Sequence, residues 1–319
     1  MTTTAPPRTQ RDAFTETVAD LMAADERVVL VLAVIGAGRF ADAGVVDRFP
    51  ERVVDVGIRE QAQIGVAGGL ALEGLRPIVH GYAPFLVERP FEQVKLSLTH
   101  QGLGAVLVSV GGSFDAAAAG RTHQAPEDVA LISTLPGWEV HAPTHPAEVS
   151  TVLRTVVPGT GSAYVRLSGP EARRPIVGDP RRVVPLRAGS PGAPTVLAFG
   201  PAIEPTLDAA GDLDVTVVGT ITPTPLDAVG LRAATTGTDL LIVEPWLAGT
   251  STARVAETLS DRAMRFHAHG VTDPETGRYG SAADHARLHG LDADGIRRRL
   301  DEVLAVARAA GSDGTVRWR

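Results

Sequence analysis

The fold is decided by the stretch Val54-Asp55-Val56-Gly57-Ile58-Arg59-Glu60-Gln61-Ala62, which runs directly into Gly65-Val66-Ala67-Gly68-Gly69-Leu70-Ala71. The β-branched residues at its start predict a short strand, and the glycine at its centre predicts a turn into a helix. This pattern places the carboxylate of Glu60 beside a helix N-terminus, among small residues that let another backbone approach closely. The carboxylate therefore either caps its own helix or presents an acid at an interface.

Composition limits the classes of function. The chain has 319 residues, enough for two domains, and its 44% hydrophobic and 21% charged residues are typical of a globular protein. The net charge is −7 and no Lys- or Arg-rich run is present, which argues against nucleic-acid binding. The absence of cysteine excludes disulfides, thiolate metal sites and thiol nucleophiles.

The first ten residues are polar and contain prolines, so we expect a flexible tail over 1–10. They lack the apolar core of a signal peptide, and no apolar run in the sequence is long enough to cross a bilayer. We therefore expect a cytoplasmic protein without a membrane partner.

Strand-like and helical segments alternate from residue 11 to residue 170. Apolar residues at helical spacing predict a first helix at 12–24 and another helix around 91–96, and β-branched runs predict strands buried on both faces. The strands are predicted at 28–35, 54–56, 77–82, 105–110, 138–141 and 163–167. This alternation predicts one α/β domain with a doubly wound, mainly parallel sheet.

A second, smaller α/β domain is predicted at 193–319. The segment before it, 171–192, is rich in Pro, Gly and Arg and lacks sustained periodicity, which is typical of an interdomain linker. Buried strands are predicted beyond it at 195–199, 215–218, 240–243 and 265–268.

Two further segments of the first domain carry residues suited to chemistry. Aromatic residues lie between a strand end and a helix start in 82–91, where a ring can stack on a flat ligand or pack in the core. The polar loop 120–128 contains His123, which can act as acid, base or hydrogen-bond donor near neutral pH, or simply be solvated. No metal-ligand set is predicted, because the remaining histidines lack acidic partners at ligand spacing.

In residue type and order, these segments resemble the C-terminal half of transketolases. Members of that family carry G-[IV]-x-E, then an aromatic stretch ending in F-E-Q or F-D-Q, then T-H-Q followed by an acidic pair. The corresponding residues here are Gly57-Ile58-Arg59-Glu60, Phe91-Glu92-Gln93, Thr122-His123-Gln124 and Glu127-Asp128. The second domain is similar in Val243-Glu244-Pro245, Tyr279-Gly280-Ser281 and Gly290-Leu291-Asp292. The resemblance extends over nearly the whole chain from about residue 11.

The resemblance implies a pyrimidine-binding domain followed by a transketolase C-terminal domain, with thiamine diphosphate as cofactor. In this family the glutamate at the position of Glu60 hydrogen-bonds N1′ of the aminopyrimidine and favours the imino tautomer, which removes the C2 proton of the thiazolium. Glu60 and His123 are the implied catalytic residues, with His123 on the oxygens of the donor. The resemblance further assigns the cofactor to Glu60, Ile58, Phe85 and Phe91, and the substrate to Tyr82, Arg89, Arg121 and Gln124.

The resemblance also implies a partner. In the family, a G-D-G motif in a separate N-terminal domain holds the diphosphate and its divalent metal, and this sequence has no Gly-Asp-Gly. We therefore expect an N-terminal diphosphate-binding subunit that makes most of the contacts to Mg²⁺ or another divalent ion. The expected assembly is a heterotetramer with two copies of each chain, in which this chain also self-associates through both of its domains.

The implied enzyme is a split transketolase-like transferase that moves a two-carbon ketol unit from a ketose-type donor to an aldehyde. Two departures argue against the housekeeping sugar-phosphate reaction: 117–120 replaces an acidic turn, and Gly169 stands where the family has a phosphate-binding arginine. The alternatives are the β subunit of a 2-oxoacid dehydrogenase and a non-catalytic subunit that stabilises its partner. The T-H-Q segment at 122–124 favours the transketolase-like enzyme over the dehydrogenase, and Glu60 argues against an inactive subunit.

Overall fold

The computed structural model of the chain describes residues 8–169, 171–176 and 178–312. Residues 1–7 of the predicted tail lie outside the described residues, as do 313–319 at the end of the predicted second domain. The first helix, α1 (Gln10–Ala24), begins at the last residue of that predicted tail. Its N-cap is Thr9, whose hydroxyl accepts a hydrogen bond from the backbone N–H of Asp12 at 3.2 Å.

The first domain is built on one sheet of parallel strands. The strands are β1 (Val28–Leu32), β2 (Val53–Asp55), β3 (Arg76–Tyr82), β4 (Val106–Val110), β5 (Trp138–His141) and β6 (Ser162–Arg166). They lie in the order β2-β1-β3-β4-β6-β5. Besides α1, the helices are α2 (Ala37–Asp42), α3 (Val45–Arg48), α4 (Glu60–Leu72), α5 (Phe91–Gln93), α6 (Asp128–Ser133) and α7 (Pro146–Val156). The predicted helix around 91–96 is a single α-helical turn, and π-helical turns flank it at Pro84–Glu88 and Val94–Thr99.

Helices pack on both faces of this sheet because its strands are apolar on both faces. Leu107 lies in a core with Ile64 of α4, whereas the adjacent Val108 lies in a core with Phe14 of α1. The prediction of a doubly wound, mainly parallel sheet is confirmed. Because all six strands are parallel, their carboxyl ends share one edge. The strand order reverses at β1, and open α/β sheets bind ligands at such a reversal.

Strand β1 ends earlier than the predicted 28–35. Val34 has a φ of 69° and Gly36 a φ of 84°, so the chain leaves the sheet after Leu32. The backbone N–H of Val34 donates to the carboxylate of Asp55 at 3.0 Å, and the N–H of Gly57 donates to the same oxygen at 2.9 Å. This carboxylate therefore ties the end of β1 to the turn that leads into α4.

The second domain is built on a smaller sheet. Its strands are β7 (Val184–Arg187), β8 (Thr195–Phe199), β9 (Thr216–Thr220), β10 (Asp239–Leu247) and β11 (Arg265–Val271). They lie in the order β11-β10-β8-β9-β7, with β7 antiparallel to β9 and the other pairs parallel. The helices are α8 (Ile203–Ala210), α9 (Ala228–Ala234), α10 (Thr252–Thr258), α11 (Ala282–Leu288) and α12 (Ala293–Ser312). Strand β7 lies within 171–192, the segment predicted as a linker. The sequence pattern did not reveal it, because a four-residue strand at the sheet edge needs little apolar sequence and tolerates Pro185.

The two domains are joined by hydrogen bonds near the carboxyl edge of the first sheet. The N–H of Leu247 in β10 donates to the carbonyl of Pro126 at 3.0 Å, and the hydroxyl of Ser113 donates to the carbonyl of Pro245. The second domain therefore supports the loop that follows β4. Within the described residues, no helix combines the length and the hydropathy needed to span a membrane.

Candidate active site

Glu60 is the first residue of α4 and lies at the carboxyl edge of the sheet, as the strand-turn-helix pattern predicts. Gly57, with a φ of 71°, makes the turn after β2. The N-cap position belongs to Arg59, and no side chain caps this helix end. Glu60 is 4% exposed, and among the described residues its carboxylate makes one hydrogen bond, to Arg89. The geometry therefore favours a presented acid over a helix cap.

Arg89 links Glu60 to the aromatic segment that follows β3. Its Nη1 donates to the Glu60 Oε2 at 2.9 Å, and its guanidinium carbon lies 4.3 Å from the centre of the Phe85 ring. Phe85 lies in the π-helical turn Pro84–Glu88, and Arg89 is the C-cap of that turn. Such π-helical turns are frequent at functional sites. Arg89 therefore lies between Glu60 and Phe85 and contacts both.

His123, on the loop after β4, contacts the same aromatic segment. Its ring centre lies 4.9 Å from that of Phe85 and 5.6 Å from that of Tyr82, in both cases edge to face. The ring is half-buried, and its Nδ1 hydrogen-bonds the Thr122 hydroxyl at 3.0 Å. The loop enters this turn at Gly120, whose φ is 80° and whose Cβ, if present, would lie 2.7 Å from the Tyr279 ring. The backbone conformation requires glycine there, whereas the Tyr279 side chain is 70% exposed and can move aside.

Arg121 and Gln124 hold the loop in place. Arg121 donates to Glu127 at 2.6 Å and to Glu275 of the second domain at 2.7 Å. Gln124 is buried and its amide donates to the carbonyl of Arg278 at 3.0 Å. Both side chains therefore connect the His123 loop to the second domain.

Two predicted cofactor residues lie away from this cluster. Ile58 is 73% exposed on the surface beside α4, and Phe91 is half-buried against the apolar core beneath the sheet. The structure thus brings together five of the residues singled out in the sequence, namely Glu60, Tyr82, Phe85, Arg89 and His123.

A buried ion pair behind the cluster was missed by sequence reasoning. The Nε of Arg166 donates to Asp128 at 2.7 Å, its Nη2 donates to Ser113 at 2.6 Å, and the Tyr164 hydroxyl donates to Asp128 at 2.7 Å. The pairing ties β6, the start of α6 and the loop after β4 into one unit. Because 38 residues separate Asp128 from Arg166, the sequence did not reveal the pairing: Asp128 belongs to the acidic pair of the motif, and Arg166 is a charged residue in an apolar strand segment.

A second missed feature is a pair of glutamates beside Arg89. Burial, together with the neighbouring carboxylate of Glu127, raises the pKa of Glu88 to about 7. One carboxylate oxygen of each residue is buried and, within the described residues, has no hydrogen-bond donor. Near neutral pH a large fraction of the Glu88 carboxyl therefore keeps its proton, next to the loop that carries His123. Elsewhere in the described ranges, no group of three or more His, Cys, Asp or Glu residues is arranged to hold a metal ion.

Comparison with known proteins identifies relatives of this chain. A family model described as the transketolase pyrimidine binding domain matches residues 7–174. An uncharacterized 33.6 kDa protein in the fasciation locus of Rhodococcoides fascians is 42% identical over 296 residues, which cover 92% of this chain and 94% of that protein. The 1-deoxy-D-xylulose-5-phosphate synthase of Cupriavidus metallidurans is 31% identical over 316 residues, covering 94% of this chain and 48% of the synthase. The chain spans about half the length of such synthases.

Two solved structures share the fold. One is described as a split gene transketolase, inactive beta4 tetramer; it has a TM-score of 0.80 at 24% identity and covers 95% of this chain and 100% of its own. The transketolase of Campylobacter jejuni has a TM-score of 0.75 at 17% identity and covers 94% of this chain and 48% of its own. These two matches show the fold, and the family model and the synthase relatives confirm the resemblance inferred from the motifs. The chain belongs to the transketolase family, and its first half is a transketolase pyrimidine-binding domain.

Proposed function

We propose that this chain is the pyrimidine-binding subunit of a split, thiamine diphosphate-dependent enzyme of the transketolase type. The enzyme transfers a two-carbon ketol unit from a ketose-type donor to an aldehyde or related acceptor. The observation that carries the proposal is that the buried carboxylate of Glu60 and the Phe85 ring both contact one planar group, the guanidinium of Arg89. An acid and an aromatic face at the carboxyl edge of a parallel sheet suit a flat, nitrogen-containing ring.

The residues present fit the aminopyrimidine of the cofactor. The guanidinium of Arg89 occupies the corresponding place: a planar group that donates a hydrogen bond to Glu60 and lies over the Phe85 ring. When bound, thiamine diphosphate supplies a thiazolium that stabilises the carbanion formed on C–C cleavage. Glu60 would hold the proton shared with N1′, Phe85 would support the ring, and His123 would hydrogen-bond the oxygens of the donor. Ile58 and Phe91 remain proposed cofactor contacts, and Tyr82, Arg121 and Gln124 proposed substrate contacts.

We further propose that a partner subunit binds the diphosphate and Mg²⁺ or another divalent ion. The absence of Gly-Asp-Gly and the relative of similar length support this proposal. The exposed side of α4 also supports a partner subunit. Small residues there leave room for the backbone of a second chain, and they are flanked by two exposed apolar residues, Ile58 and Leu72. The small residues are Ala62, Gly65 and Gly69. A heterotetramer with two copies of each chain is the proposed assembly.

The substrate end of the site argues against the housekeeping sugar phosphates. At Gly169, where the family has a phosphate-binding arginine, the backbone N–H donates to the carboxylate of Asp115 at 2.7 Å. The adjacent arginine, Arg166, is buried and committed to Asp128. Burial raises the pKa of Asp115, whereas the charge of Arg166 and the Gly169 N–H act in the opposite direction. The ionised carboxylate repels a phosphate, so we propose a donor without a phosphate group here.

Replacement of Glu60 tests the proposed function. In the complex with the partner, Glu60→Gln is expected to lower cofactor-dependent ketol transfer to glycolaldehyde by at least about 100-fold, because the amide cannot exchange a proton with the ring. The matched control is Glu73→Gln, at the exposed C-terminal end of the same helix. Unchanged turnover in Glu60→Gln would refute the proposal. Decarboxylation of a 2-oxoacid with an artificial electron acceptor, in place of ketol transfer, would instead identify the dehydrogenase subunit.

A further inference from the structure

The volume between Glu60 and Phe85 is filled by a side chain of the same chain. Arg89 makes its ion pair to Glu60 at 2.9 Å while its guanidinium lies over the Phe85 ring at 4.3 Å. It thereby makes, at the same time, a polar contact with Glu60 and a contact with the face of the Phe85 ring, the two contacts that a flat heterocycle would make here. Two flat groups cannot occupy this volume together, because stacked planes need about 3.5 Å between atom centres.

We propose that Arg89 is an internal plug of the pyrimidine pocket, which competes with the cofactor and must leave before the ring enters. This inference rests on the proposed function, because it takes the ligand of the pocket to be an aminopyrimidine. It adds that the free chain has a self-occupied pocket, and that the affinity for the cofactor is set partly by the energy needed to move this one side chain.

The contacts of Arg89 suit a group that stays until it is displaced. Its side chain is 42% exposed, whereas that of Glu60 is 6% exposed. Among the described residues, the ion pair to Glu60 is its only side-chain hydrogen bond. Arg166, at the same edge of the sheet, is 2% exposed and held by both Asp128 and Ser113. Arg166 is therefore fixed, and Arg89 can swing into solvent on its flexible stem.

The plug also explains how the free chain tolerates a buried acid. An unpaired buried carboxylate is costly, and the guanidinium compensates the charge of Glu60 until another donor replaces it. A half-exposed ion pair and a cation–π contact are each modest interactions. Together they are expected to weaken the apparent cofactor affinity by about tenfold, a loss that removal of the plug would recover.

The first test measures cofactor binding without turnover. Thiamine diphosphate is titrated calorimetrically into the complex of this chain with its diphosphate-binding partner, using Arg89→Met, which keeps an apolar stem but cannot pair with Glu60. The control is Arg59→Met, which removes an exposed arginine that donates to the carbonyl of Val56 at 3.3 Å. We expect about tenfold tighter binding for Arg89→Met and no change for Arg59→Met. Cofactor binding by Arg89→Met that is equal to or weaker than that of the unmodified complex would overturn the plug. If neither the variants nor the unmodified complex bind the cofactor, the proposed function is overturned and the plug with it.

The second test examines the free chain, so it is independent of the cofactor. A double-mutant cycle with Glu60→Gln and Arg89→Met, followed by urea unfolding, measures the coupling between the two side chains. We expect the pair to change the unfolding equilibrium constant by a coupling factor of about three or more. A coupling factor of one would show that Arg89 does not occupy the pocket in solution, and would overturn the inference.

Discussion

Replacing Glu88 by Gln should change how the stability of this chain depends on pH. Glu88 belongs to the turn that precedes Arg89, and its pKa is raised from 4.5 to about 7, mainly by burial and then by the charge of Glu127. Arg121, which pairs with Glu127 at 2.6 Å, offsets part of this effect. A glutamine amide keeps the shape of the protonated acid and donates a hydrogen bond to the neighbouring carboxylate without titrating.

The sign follows from counting bound protons. Between pH 4.5 and about 7 the folded chain holds a proton on Glu88 that the unfolded chain has released. Stability therefore falls as the pH rises through this window, and the loss is complete above the folded pKa. The rise in this pKa corresponds to about 3 kcal/mol, and the partial exposure of the side chain reduces the expected loss to about 1–2 kcal/mol.

The measurement is urea unfolding of the original chain and of Glu88→Gln at pH 5 and pH 8. From pH 5 to pH 8, the free energy of unfolding of the original chain should fall by about 1–2 kcal/mol more than that of Glu88→Gln. Glu92→Gln is the matched control, because Glu92 is exposed in the same segment. If the two chains lose stability in parallel between pH 5 and pH 8, the raised pKa of Glu88 is refuted.

Two further predictions concern groups buried in the sheet. Burial lowers the pKa of His80 from 6.5 to about 4, so the unfolded chain binds more protons in that window and stability is lost as the pH falls through it. His80→Phe is expected to lower the free energy of unfolding by about 1 kcal/mol at pH 7, because it loses the 2.8 Å hydrogen bond to the carbonyl of Val108. Its urea midpoint should also fall less between pH 6.5 and pH 4 than that of the original chain. An equally steep fall would exclude His80 as the source of this pH dependence. Asp128→Asn is expected to cost about 3–5 kcal/mol by leaving the buried Arg166 uncompensated. The control is Asp261→Asn, at an exposed ion pair, which should leave the urea midpoint nearly unchanged. Equal midpoints for the two variants would contradict the proposed contribution of the buried pair to stability.

Much of the local structure follows from the sequence because it depends on neighbours along the chain. The β-branched run of β2, Gly57 at a positive φ, and the small residues of α4 are enough to place Glu60 at a strand-to-helix turn. Continuous apolar strands similarly predict a parallel sheet covered on both faces. The motif order around Glu60 and His123 was sufficient to indicate the transketolase family, which the comparisons confirm.

Sequence periodicity does not specify which distant residues meet. Glu60 and Arg89 are 29 residues apart and follow different strands, and they pair only because β2 and β3 flank β1 in the sheet. Composition also concealed β7, since an edge strand needs little apolar sequence. The sequence by itself thus determined the acid, its turn and the alternation of strands and helices. Only the tertiary structure decided that an arginine fills the pocket beside that acid, because strand order, unlike periodicity, is a property of the assembled sheet.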